Sequence, residues 1–271
     1  DCVNFDNTLD VRRTHTLYVT ARDIKENIVY QNGVFNLSVS YAGATASPKG
    51  TAPTLPPVTA TPYTFSQGVA QVTGVILPNA SNSVTVSVTD SNGKTTPTKL
   101  TPLLIKGPVA NIKIQTGPGN SGSDITNSTD TFSADYSPTY YLGGFDSEFN
   151  FIGNTVLGAW GGTVTSKGTL SVGAGLGTQT SFTASNNSTV TAYLPDTQSA
   201  GLGTLTATST MAAGVLTAST TLNILAGDMD HLRIYHSGTV GGGSGNVTAG
   251  VPFFILGRAE DVRNNLLTNF S

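Results

Sequence analysis

Apolar and polar residues alternate along much of this chain. In Ser83-Val84-Thr85-Val86-Ser87-Val88-Thr89 the three valines fall at every second position, the period of a strand with one buried and one wet face. The following Asp90-Ser91-Asn92-Gly93-Lys94 contains an Asn-Gly pair, which tolerates positive φ at both central positions of a tight turn and so predicts a hairpin. The return strand is expected over 95–105, at an edge or with a bend, because Pro97 and Pro102 cannot donate to a ladder. Gly203 to Thr210 alternates in the same way, turns at Met211 to Gly214 and returns through Val215 to Leu225. The two hairpins are expected to be the same element, and the pattern predicts an all-β chain with few helices.

A longer period supports this equivalence. Tyr18-Val19-Thr20-Ala21-Arg22-Asp23 is followed four residues later by Asn27 and then Ile28-Val29. Tyr141-Leu142-Gly143-Gly144-Phe145-Asp146 leads likewise to Asn150 and Phe151-Ile152, and Leu256-Gly257-Arg258-Ala259-Glu260-Asp261 to Asn265 and Leu266-Leu267. The copies lie about 120 residues apart, as do the stretches Leu104 to Ile114 and Ile224 to Ile234. Units are therefore expected at 1–106 and 108–225, with an incomplete third over 228–271. Linkers of two or three residues at Lys106-Gly107-Pro108 and Ala226-Gly227 are too short for independent tumbling, so neighbours are expected end to end as a semi-rigid rod.

Composition narrows the class. The chain has 271 residues, only 11% of them charged, 38% hydrophobic, with 31 glycines and a net charge of −3. This excludes a coiled coil and a basic nucleic-acid binder, and the recurrent apolar bursts exclude full disorder. No apolar run approaches the roughly 18 to 20 residues of a membrane-spanning helix. The first residues lack the basic-then-apolar order of a signal peptide, and the single Cys2 has no internal partner for a disulfide. The abrupt end at Asn269-Phe270-Ser271 suggests a piece of a longer protein.

A strand ending in Asp, three further residues, Asn and an apolar pair resembles the tandem bacterial immunoglobulin-like repeats of invasin- and intimin-type surface proteins. The nearest stretch is Tyr140 to Leu170, with Asp146, Asn150, Gly153, Trp160 and Gly168-Thr169-Leu170; Asp230-His231-Leu232-Arg233-Ile234 resembles the opening of a further repeat. The resemblance implies tandem Ig-like antiparallel β-sandwich domains arranged end to end at the cell surface, as stalk, adhesin or surface-layer component without catalysis of their own. Members of that family usually carry Gly just before the Asn; here Glu26, Phe149 and Asn264 stand there.

Each candidate site has a structural alternative. Asp23, Asp146 and Asp261 suggest calcium, a taker of carboxylate oxygens, with Asp228, Asp230, Glu260 and Asp261 as the best-placed set. The alternative, preferred here, is that each Asp caps its own turn while Asn27, Asn150 or Asn265 takes a left-handed conformation. Tyr136, Tyr140 and Tyr141, beside Pro138, are the aromatic residues best suited to exposure and to stacking a sugar, although a sandwich core needs rings too. His231 and His236 lie five apart and would face opposite sides of a strand, and neither His-Glu-x-x-His nor Gly-x-Ser-x-Gly occurs. Gly238 to Gly245 reads as a flexible connection. Sequons begin at Asn36, Asn79, Asn127, Asn186, Asn187, Asn246 and Asn269. The expectation is a non-enzymatic structural protein of the cell exterior that associates with copies of itself, with an adhesin stalk or a glycan-binding module as alternatives. No cofactor and no nucleic acid are expected.

Overall fold

The computed structural model describes residues 8–95, 100–136, 138–154, 158–166, 181–182, 200–211, 214–236, 250 and 255–268. Among them, all regular structure is β-strand apart from two short 3-10 turns at Gly119–Ser121 and Thr163–Ser166. The chain is thus all-β, as its alternation predicts. It divides into two compact units, Asp1–Asn111 with Phe145–Ile152, and Ile112–Gly144 with Gly153–Ser271. Most of the segments expected at 108–225 and 228–271 lie together in the second.

The first unit contains β1 (Thr8–Asp10), β2 (His15–Thr20), β3 (Gly33–Ala42), β4 (Thr61–Phe65), β5 (Val69–Val75), β6 (Thr85–Asp90) and β7 (Leu103–Ile105). β2 pairs antiparallel with β5, and β3 lies between β4 and β6. Leu17, Val39, Tyr41, Val72, Val75 and Val86 from these strands share one buried cluster with Val84, which immediately precedes β6. Each such side chain contributes roughly 1.5–3 kcal/mol by leaving water, which is why the valines of the first alternating run point the same way.

The Asn-Gly turn forms, with two differences from expectation. Of its two central residues only Gly93 has positive φ, at 78°. The return segment then touches β6 through the isolated bridges Thr89↔Thr95 and Val86↔Leu100; Pro97 lies outside the described residues. Its strand β7 pairs in parallel with β1, Leu9 facing Leu104. A wholly antiparallel arrangement is therefore corrected. β1 and β7 are joined by nearly the whole unit, so no tight turn dictates their direction.

The remaining strands are β8 (Asn111–Gln115), β9 (Thr129–Ser133), β10 (Tyr141–Phe145), β11 (Phe151–Gly153), β12 (Gly158–Gly161), β13 (Ser181–Phe182), β14 (Gly201–Met211), β15 (Gly214–Leu225), β16 (Met229–His236) and β17 (Ile255–Asp261). β14 and β15 form the expected hairpin, in register from Gly201↔Ile224 to Met211↔Gly214. Its inner face carries Leu205, Ala207, Leu222 and Ile224, all at 0–1% exposure. Trp160 on β12 is buried beside Ala207, its register partner. Gly203 is required by a close approach, since a Cβ there would stand 2.8 Å from the Cα of Val164. β15 also pairs in parallel with β9, repeating the β1–β7 arrangement.

Candidate functional site

The three Asp-x-x-x-Asn segments fold into the same corner. In the first, Asp23 Oδ1 accepts the backbone N–H of Lys25 at 2.8 Å and of Asn27 at 2.9 Å, and Asn27 Nδ2 donates to Asp23 Oδ2 at 3.0 Å. The backbone closes with Asp23 N–H to the Asn27 carbonyl and Glu26 N–H to the Asp23 carbonyl. Asp146 holds Glu148, Asn150 and the Asn150 carboxamide by the same bonds, and Asp261 holds Arg263, Asn265 and the Asn265 carboxamide likewise. A type I turn followed by one left-handed residue explains the pattern.

That left-handed residue is not the asparagine. Positive φ falls on Glu26, Phe149 and Asn264, at 66°, 62° and 63°, the position at which the resembled family places glycine. The expectation for Asn27, Asn150 and Asn265 is corrected accordingly: their side chains are needed to bridge back to the Asp, while the preceding residue absorbs the reversal. Asp90 builds a fourth corner of this kind, accepting N–H from Asn92 and Lys94 with Gly93 left-handed. Lys94 stands where the others have Asn, so this corner lacks the carboxamide bridge.

Two of the corners hold more than themselves. In the first unit, Asp146 Oδ2 also accepts the N–H of Gly107 at 3.1 Å, Asn150 Oδ1 accepts that of Ala80 at 2.9 Å, and Asn150 Nδ2 donates to the Pro78 carbonyl at 3.0 Å. In the second, Asp261 Oδ2 accepts the N–H of Gly227 at 2.8 Å and Asn265 Oδ1 that of Ala200 at 2.7 Å. The donors Gly107 and Gly227, and Ala80 and Ala200, are each separated by the 120 residues of the sequence period. A Cβ on Gly107 would reach within 2.7 Å of the Arg12 side chain, and one on Gly227 would collide with the Asp135 carboxylate, so a larger residue at either position would have to displace that side chain. Sequence reasoning found the corners but not the bond from each corner to a glycine elsewhere in the chain; the shared offset was the available signal.

Burial follows this clasp. Asp146, Asn150, Asp261 and Asn265 are buried, whereas Asp23 and Asn27 are exposed. For Asp261, burial pushes the pKa up, but hydrogen bonds from the Asn265 side chain and from the backbone of Gly227, Asn265 and Arg263 outweigh it and leave the group below the usual 3.8. A carboxyl depressed in the native state stabilises it fully above its unfolded pKa and loses that stabilisation as pH falls through the native value. Urea midpoints for the second unit should therefore drop below about pH 4, and Asp261→Asn should flatten the drop; an unaltered pH profile would contradict the assignment.

Three of the four acids considered for calcium are engaged elsewhere. Glu260 lies buried with Arg233 Nε at 3.4 Å and His231 Nε2 at 3.5 Å, Asp230 meets His231 Nδ1 at 2.9 Å, and Asp261 holds its own corner. Among the described residues, no three His, Cys, Asp or Glu side chains converge as a metal site. The aromatic set divides. Tyr140 is wholly buried and donates to Asp130 at 2.7 Å, burial raising its pKa; its expected exposure is corrected, because it faces the core from just before β10. Tyr141 is half-buried, and Tyr136 is 61% exposed. Cys2, Gly238 to Gly245 and the sequons at Asn186, Asn187, Asn246 and Asn269 lie outside the described residues.

No family model matches the chain, and no curated protein matches it.

Proposed function

We propose that this chain is a non-enzymatic structural component of an extracellular fibre, sheath or surface layer, built from tandem Ig-like sandwiches that succeed one another end to end. The observation that carries this reading is the clasp: two corners with identical internal bonds each hold a glycine and an alanine N–H that recur at the same 120-residue offset. Such a device spends its polar groups on holding chain to chain, leaving the recurrent acids no role in chemistry. Self-association is supported by exposed apolar positions on the β16–β17 hairpin, where Leu232, Ile234 and Ile255 are 63%, 71% and 66% exposed and lie on one face by register.

The test is assembly. The purified chain should form polymers or lateral arrays visible by electron microscopy, and truncation after residue 225, which removes the β16–β17 hairpin, should abolish or alter them. A chain that stays monomeric at all concentrations would favour the second reading, the stalk of a cell-surface adhesin. A carbohydrate-binding module is the third reading, and it retains Tyr136 and Tyr141 as contacts; absence of binding on a glycan array would remove it.

A further inference from the structure

The first corner is built as the other two are, yet it clasps none of the described residues beyond its own turn. Asp23 and Asn27 make every internal bond of the motif, but among the described residues no linker glycine reaches Asp23 Oδ2 and no alanine N–H reaches Asn27 Oδ1. At the other corners these two atoms accept Gly107 and Ala80, or Gly227 and Ala200. Among the described residues, then, the first corner lacks the two donors that the other corners hold.

A second feature adjoins it. After each clasped glycine the chain continues into a strand, β8 or β16, that pairs with the strand leading to the corner, β10 or β17. β8 turns Ile112 and Ile114 into the interior at 6% and 0% exposure. In the first unit the strand leading to the corner is β2, and beside it runs a groove of about 900 Å³ that also reaches Asp23 and Glu26. Its walls include Leu17 and Val19 of β2, Val86 and Val88 of β6, and Leu100. A groove with these apolar walls, ending at an acceptor pair that meets no such donors among the described residues, matches what a glycine-led strand with alternate isoleucines offers.

We propose that the Asp23–Asn27 corner and the groove along β2 form a docking socket for the trailing end of another domain of the same build. The incoming domain supplies a glycine N–H to Asp23 Oδ2, a loop N–H to Asn27 Oδ1, and an extended segment of the Gly107–Gln115 type whose apolar side chains enter the groove by strand addition. This rests on the repeat reading proposed above but not on polymer formation, and the two fail separately: a chain that never polymerises can still bind the strand.

The test uses the full chain and a fluorescent peptide of sequence Lys106 to Thr116. Saturable binding is expected by anisotropy, weakened at least tenfold by the chain variant D23A/N27A, by proline in place of the peptide's glycine, and by serine in place of both its isoleucines. Because a short peptide loses much freedom on binding, the same segment is also joined ahead of Asp1 through a flexible Gly-Ser linker, which raises its effective concentration. Amide exchange at Leu17 to Thr20 should then slow at least tenfold relative to a scrambled segment. Exchange unchanged by the tethered segment, or peptide binding indifferent to all three substitutions, overturns the proposal.

Discussion

Replacing Asp146 by alanine is expected to lower the stability of the first unit by about 3 kcal/mol or more, as measured by urea denaturation. The buried carboxylate accepts from Glu148, Asn150 and Gly107 N–H and from the Asn150 carboxamide. Alanine leaves these donors without an acceptor in a place water does not reach, at about 1–3 kcal/mol for each group left unsatisfied. Asp23→Ala removes the same internal bonds, but its corner is open to solvent, and water replaces what is lost. The contrast is the informative quantity, because the two corners share their geometry and differ in burial. Equal effects at both positions would mean that the turn, and not the clasp, carries the stability.

Leu222→Ala should destabilise the second unit by about 3 kcal/mol. Leu222 is 0% exposed and lies opposite Gly203 across the β14–β15 pair. Gly203 in turn packs directly on Val164, so neither neighbour has a side chain free to fill the gap. Leu202→Ala, one position away on the partner strand and 65% exposed, should change stability by no more than about 0.5 kcal/mol. The pair tests the strand period itself. A large effect at Leu202, or a negligible one at Leu222, would place the inner face wrongly.

Strands and corners were legible in the sequence because both depend on local rules. Val84, Val86 and Val88 announce their face by spacing alone, and Asp followed by Asn four residues on announces a capped turn. The hairpin of β14 and β15 followed from the same logic, to within two residues at its start. Parallel pairing of β1 with β7 was not legible, since no residue of Thr8–Asp10 marks a partner some 95 residues away. Tyr140 was misplaced for a related reason: a nearby proline suggests an irregular surface, while the phenol finds its carboxylate at Asp130 and turns inward. The clasp lay between these cases. Its Asp, Asn and Gly were each read singly, but a backbone N–H leaves no trace in the letters of a sequence.

That dependence on the main chain has an evolutionary consequence. The residues before Ala80 and Ala200 differ, Pro78-Asn79 and Gln198-Ser199, yet each alanine N–H donates to the carboxamide oxygen of a corner asparagine. A fastening whose donors are main-chain N–H groups leaves the side chains around those donors free to diverge, provided the accepting Asp-Asn pair survives.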